Sequence, residues 1–330
     1  MKHTLRAAAA VAVAIMMLAG CKGGNSGKKA AGNPADNRFP MPEVPAMISD
    51  QHQAMDYIVT HYWDKFLSED RPGVQDTSLV RGFTVDAFAE HFCQYALFLR
   101  ASAPEKGLAA CRSFLNRVEQ QQLDNPESTI WAKVTDVYYR VMEDPNSPYR
   151  NEEYCIPLIE KRATSALSTE AEKTRAEHDL PLFCLNRLGE KAADFAFTLR
   201  NGRVMHLTDI NSEYTIIFFS NPGCNNCREV MEMLQNFPGI DQLIAEKRLA
   251  IANVYPDEDL GEWIKYSPIY PTNWYNGYDH LLAVNNTPLY NIRAIPSIYM
   301  LDKDKRVLIK DSPSDFLMEF LSAVFGTPIN

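Results

Sequence analysis

Residues 215–227 read TIIFFSNPGCNNC. Over 215–220 the side chains form an almost unbroken run of β-branched and aromatic residues, the pattern of a strand covered on both faces of a sheet. Asn221, Pro222 and Gly223 end it, and a helix is expected over about 225–236. Cys224 and Cys227 therefore fall where a buried strand gives way to a helix N-terminus, whose free N–H groups and positive dipole end stabilise a thiolate. Such a turn exposes the first sulfur and keeps the second behind it, near enough to resolve a mixed disulfide. These two residues are the candidate catalytic pair, Cys224 attacking and Cys227 resolving.

The flanking sequence supplies the rest of a sheet. Segments 194–199 and 204–207 read as a hairpin across RNGR, 249–255 as a strand, and 297–301 with 306–310 as a second hairpin. Helices are expected over 257–265 and 280–285, and Ser314 reads as the cap of a terminal amphipathic helix. Strand, helix, strand, helix, hairpin, helix is a thioredoxin-like order. Ile295 and Pro296 stand just before a strand, where a proline suits a cis bond facing the cysteines. They are the candidate substrate-binding residues, offering backbone to an extended chain.

Residues 187–330 resemble the membrane-associated thioredoxin-like family that includes TlpA and ResA. GEKAADF (189–195) is similar to that family's entry segment, and IPSIYMLD (295–302) to its cis-proline strand. The chain after residue 20 also resembles lipoproteins in which this fold follows a helical domain of unknown function. HYWD (61–64), DPNSPYRNE (144–152), YPDED (255–259), WYNGYD (274–279) and NIRAIP (291–296) sit where that architecture has them. The resemblance implies thiol–disulfide exchange and names no substrate. The chain departs from it in places: Gly223 stands where thioredoxins usually have Trp, and Asn225 and Asn226 lie between the cysteines. Phe218 replaces a buried acid, and Val230 replaces a Glu of ResA-type proteins.

The N-terminal half changes period. Met55, Ile58, Val59, Tyr62, Phe66 and Leu67 recur at helical spacing, as do Val85, Phe88, Phe92, Tyr95 and Leu99. Leu108, Cys111, Leu115 and Val118 form another stripe, and Ile130, Val134, Val137 and Tyr138 a fourth. SAPE (102–105) reads as a cap, a first-turn proline and a capping-box Glu. Further helices are expected from about 151 and over 169–178. The fold class is α+β overall: an all-helical domain at 46–186, then a thioredoxin-like α/β domain with a central mixed sheet at 187–330.

Residues 1–20 carry Lys2 and Arg6 ahead of an apolar run and read as a signal peptide. LAGC (18–21) resembles the lipobox of bacterial lipoproteins, which implies cleavage before Cys21 and a diacylglyceryl group on its thiol. A plain secretory signal with an incidental cysteine is the alternative. Residues 21–45, rich in Gly, Pro, Asn and Lys, read as a flexible tether. The expected location is the cell envelope, lipid-anchored, with Lys22 favouring the outer membrane facing the periplasm.

A formal net charge of −9 argues against a general phosphate-binding surface, so no nucleic-acid partner is expected. A zinc site needs a second ligand pair, and no other C-x-x-C or C-x-x-H occurs, so no metal is expected. The dithiol is itself the redox group, and no cofactor is implied. Cys93, Cys111, Cys155 and Cys184 leave packing and disulfide bonding both open. Asp257, Glu258 and Asp259, at a helix start, read as charge complementarity to its dipole. The aromatic segment 263–278 reads either as the border of a substrate groove or as a packed insertion. The favoured function is a lipid-anchored extracytoplasmic thiol–disulfide oxidoreductase acting on protein partners. The alternative is a redox-inert binding or scaffold lipoprotein in which Cys224 and Cys227 form a structural disulfide.

Overall fold

The computed structural model describes residues 38–70 and 73–326. The signal segment, Cys21 and most of the expected tether lie outside the described residues. The chain forms two compact units, one running up to residue 141 together with 165–167, the other made of 142–164 and 168 onward.

The first unit is helical: α1 (Gln51–His61), α2 (Asp64–Ser68), α3 (Val85–Ala101), α4 (Pro104–Asp124) and α5 (Ile130–Tyr138). Asp50 caps α1 by accepting the Gln53 N–H at 2.9 Å, and Thr84 caps α3 through the Ala87 N–H at 3.2 Å. The expected cap at Ser102 is not made. Its hydroxyl turns back to the Leu99 carbonyl at 3.0 Å and closes α3, while the Ala103 N–H at the head of α4 is taken by Asp56 at 2.8 Å. A proline at N1 leaves fewer orphan donors for a cap to satisfy.

The core of this unit is aromatic. Trp63 stacks on Phe114, with ring centroids 4.4 Å apart, and on Phe92, and meets Tyr62, Phe66 and Phe88 edge-on or tilted. Phe39, from the stretch expected to be tether, is buried against Tyr62 and Phe66. One aromatic in a polar stretch carries no periodicity, so sequence pattern had no way to place it.

The second unit begins with two more helices, α6 (Glu152–Thr164) and α7 (Glu170–Phe183), which pack on each other and group with the sheet. Thr169 and Glu172 form a reciprocal capping box at the start of α7. The expected change at residue 187 thus marks where helices give way to strands, whereas packing divides the chain earlier. Apolar spacing shows that a helix buries one face and says nothing of what covers it.

Seven strands form one mixed sheet: β1 (Ala196–Leu199), β2 (Val204–His206), β3 (Tyr214–Phe219), β4 (Leu249–Tyr255), β5 (Tyr275–Tyr278), β6 (Ser297–Asp302) and β7 (Val307–Lys310). Their order is β2-β1-β5-β4-β3-β6-β7, with β3, β4 and β5 parallel and the other pairs antiparallel. β3 and β4 are buried almost throughout, as their mainly apolar sequences require. The helices of this part are α8 (Asn225–Gln235), α9 (Ile240–Ala245), α10 (Leu260–Tyr266), α11 (Ala283–Asn286) and α12 (Ser314–Phe325). Ser314 is the first helical residue of α12 and Pro313 holds the cap position, one residue earlier than expected.

Strand β5 lies inside the aromatic segment, where no strand was expected. Tyr-Asn-Gly-Tyr carries weak strand signal, and the glycine is required by close approach. A Cβ on Gly277 would stand 2.7 Å from the Phe197 ring and 2.8 Å from the Thr198 carbonyl oxygen of β1. Among the described residues no helix is long and apolar enough to cross a membrane.

Candidate functional site

The turn between β3 and α8 carries both cysteines. Gly223 has φ +72°, a conformation that side chains resist and glycine adopts freely. The Tyr266 hydroxyl would lie 3.4 Å from a Cβ placed there. Cys224 is the N-cap of α8: its Sγ accepts the Cys227 N–H at 3.3 Å. The sulfur thereby takes one of the orphan helix donors. Cys224 is half-buried and Cys227 buried, in the order expected. Burial pushes the Cys227 thiol well up, and its hydrogen bond with Cys224 adds to the rise.

Polar side chains brace the turn from beneath. The Ser220 hydroxyl donates to Asn253 Oδ1, Asn253 donates to Asn276 Oδ1 at 3.0 Å, and Asn276 donates to the Pro271 carbonyl at 2.6 Å. This chain ties the end of β3 through β4 and β5 to the aromatic segment. Tyr270 of that segment has its hydroxyl near Ser220 and both cysteines. Its pKa is pushed up to about 12, first by burial and then by the charge of Cys227. Trp263 is buried against Tyr278. Within 263–278 Trp263 is packed, as a packed insertion requires, while Tyr266 and Tyr270 lie near the cysteine turn.

The acidic run 257–259 is split in role. Asp259 caps α10 through the Glu262 N–H at 3.1 Å, as helix-dipole reasoning suggested. Asp257 instead accepts from Asn221 at 2.8 Å and from Asn285 at 3.2 Å, holding the cysteine turn to the segment that carries α11. Sequence reasoning gave Asp257 only a helix-dipole role and missed this one, because a carboxylate beside two others gives no sign of which amide it faces.

The Ile295–Pro296 bond is cis. Register pairs Ser297 with Phe219, so Pro296 stands at the level of Ser220, at the sheet end from which the cysteine turn departs. All six described cysteines, Cys224 and Cys227 included, are free thiols. Cys111 is fully buried, its hydroxyl neighbour Tyr95 3.9 Å away, and burial raises its pKa to about 11. Cys155 donates to the Met142 carbonyl at 3.1 Å, and Cys184 is exposed. Among the described residues no three or more His, Cys, Asp or Glu are grouped to hold a metal ion.

The crystal structure of a thioredoxin-like protein from Bacteroides caccae is 33% identical, covers 86% of this chain and 97% of its own, and superposes with a TM-score of 0.69. The C-terminal domain of an uncharacterized protein from Bacteroides fragilis is 43% identical over 42% of this chain and 98% of its own, with a TM-score of 0.40. The thioredoxin domain of a thiol-disulfide oxidoreductase from Bacteroides vulgatus is 20% identical over 42% of this chain and 97% of its own, with a TM-score of 0.37. No curated protein matches the chain. Residues 20–186 match the family described as Domain of unknown function (DUF5106). The chain belongs to this DUF5106 family, and in it the domain of unknown function is followed by a thioredoxin-like domain.

Proposed function

We propose that the protein is a lipid-anchored, extracytoplasmic thiol–disulfide oxidoreductase acting on protein thiols or disulfides. One observation carries the redox reading: Cys224 sits half-exposed at the N-cap of α8 with its sulfur facing a helix N–H, while Cys227 is buried one turn behind. In the reducing direction the Cys224 thiolate attacks one sulfur of a substrate disulfide. That S–S bond breaks, a substrate thiolate leaves, and a mixed disulfide forms. Cys227 then gives up its proton and attacks Cys224 Sγ, closing the Cys224–Cys227 disulfide and releasing the second substrate sulfur, which takes a proton. The substrate gains two electrons and the pair loses two; the same steps reversed oxidise a substrate dithiol. Pro296 and Ile295 would offer backbone to the substrate chain.

The anchor rests on the sequence LAGC at 18–21 and on the short apolar run before it. Stable attachment needs more than one acyl chain, since a single chain binds membranes only marginally.

Cys227→Ser is expected to accumulate mixed disulfides with partner proteins, and Cys224→Ser none. The wild-type pair should have a potential above about −300 mV, the level below which structural disulfides lie. Identical behaviour of the two variants, together with a disulfide below that potential, would establish the redox-inert scaffold instead. In cells given labelled fatty acid, Cys21→Ser should lose both label and membrane retention; an equally labelled variant removes the anchor.

A further inference from the structure

Two stretches far apart in sequence, 150–153 and 291–297, meet within the sheet unit. Glu152, on the first turn of α6, has no exposed surface. Its Oε1 accepts from Asn291 and lies 4.0 Å from Arg293 Nε, and its Oε2 lies 3.6 Å from Lys310 Nζ. Arg293 donates to the Glu143 carbonyl and, at 3.1 Å, to Asp311. Ser297, next to the cis-proline, donates to the other oxygen of Asp311 at 2.9 Å. The segment 291–297 is thus held by side chains at its start, middle and end, with the cis Ile295–Pro296 bond inside it. On its other side Ile292 and Ile295 lean on the apolar core of the sheet.

Stability alone does not account for this arrangement. Buried ions lose their hydration, and well-packed apolar side chains in their place are often neutral or better. Glu152 Oε2 and Arg293 Nε have no hydrogen-bond partner, so part of that cost stands uncompensated. Directional groups specify something that apolar packing does not: the place and orientation of one short segment.

We propose that Glu152 is a positioning residue for the exchange reaction. Through Asn291 and Arg293 it fixes the cis-proline segment beside the cysteine turn, so that the segment's backbone is ready to pair with an extended substrate chain. The inference rests on the oxidoreductase reading of Cys224 and Cys227. It also assigns a task to the region of unknown function, since residue 152 lies within the matched span 20–186. That region supplies part of the frame on which the redox unit receives its substrate.

The test uses the full chain. Reduced wild type, Glu152→Gln and Asn291→Ala are compared against a disulfide-linked peptide pair and against a small aromatic disulfide that needs no backbone pairing. Both variants should raise KM for the peptide about tenfold, with kcat and the rate toward the small disulfide within about twofold of wild type. Amide hydrogen exchange over 292–298 should quicken in both. Unchanged KM with unchanged exchange overturns the assignment. An equal loss toward both disulfides also overturns it, because the cysteine turn itself would then have been disturbed. A wild type inert toward both disulfides overturns the oxidoreductase reading, and the role of Glu152 falls with it; an active wild type with unaltered variants removes Glu152 alone. Should Glu152→Gln fail to fold, Asn291→Ala, which removes only the loop's own donor, carries the same comparison.

Discussion

In the helical unit Tyr62, Trp63, Phe66, Phe88, Phe92 and Phe114 fill the interior with rings, and polar burial is limited to small groups such as Ser102 and Thr135. In the sheet unit the interior also holds Glu143, Glu152, Glu153, Asp279, Lys305, Lys310 and Asp311. Every charged residue buried among the described residues belongs to that second unit. Rings stabilise in proportion to area and tolerate small displacements, because dispersion and the hydrophobic effect have little direction. Buried ions cost stability but pin groups at set distances. The difference separates a unit built to stay folded from a unit built to hold particular atoms, and among the atoms held are those of the cis-proline segment.

The comparison breaks first if rings do not dominate the helical unit. Trp63 is almost wholly buried and touches several aromatic neighbours. Trp63→Ala should therefore destabilise by about 5 kcal/mol, near the top of the range for emptying an aromatic site. Chemical denaturation followed by circular dichroism reads this directly, and a loss under about 2 kcal/mol would show that the ring cluster relaxes freely.

A smaller loss is expected in the sheet unit from Lys310→Met. The ammonium donates to the Phe183 and Leu185 carbonyls, each at 2.6 Å, and faces Glu152. Removing it strands two carbonyls at the end of α7 and half of the charge opposite Glu152. Arg293 still faces that carboxylate, so about 3 kcal/mol is expected, at the low end for a broken buried pair. A variant as stable as wild type in the same denaturation experiment would mean that Lys310 is dispensable to the cluster.

The smallest effect concerns pH. Burial, working against Lys310 and Arg293 and helped by Asp311, raises the Glu152 pKa from 4.5 to about 7. Between those values the unfolded chain binds fewer protons at this residue than the folded one, so stability falls as pH rises. The contribution is fully present below the unfolded value and is lost above about pH 7. The stability difference between wild type and Glu152→Gln should shift by about 2 kcal/mol between about pH 5 and pH 7, wild type losing ground. A difference that stays flat across this range would place the folded pKa of Glu152 near its ordinary value.

Much of the architecture was legible locally. TIIFFS announces a doubly covered strand because no polar side chain interrupts it, and the cysteine pair falls at the following helix start because Pro222 and Gly223 stop the strand. Helical stripes such as that from Phe88 to Leu99 are equally self-contained. The candidate site was legible to the extent that its parts sit in one short turn or just before a strand, as Cys224, Cys227 and Pro296 do. Its braces were not: Asp257, Asn253 and Tyr270 reach the turn from other strands and loops.

By itself the sequence determined the helical and sheet-forming halves, the order of most elements and the placement of the cysteines, all of which depend on neighbours within a turn or two. Tertiary structure alone decided that α6 and α7 group with the sheet, that Tyr275–Tyr278 forms a strand against β1 and β4, and that Glu152 meets Asn291 across 139 positions. The reason is physical: a charged residue in sequence looks like solvent-facing surface, and only a partner brought up by the fold makes its burial affordable.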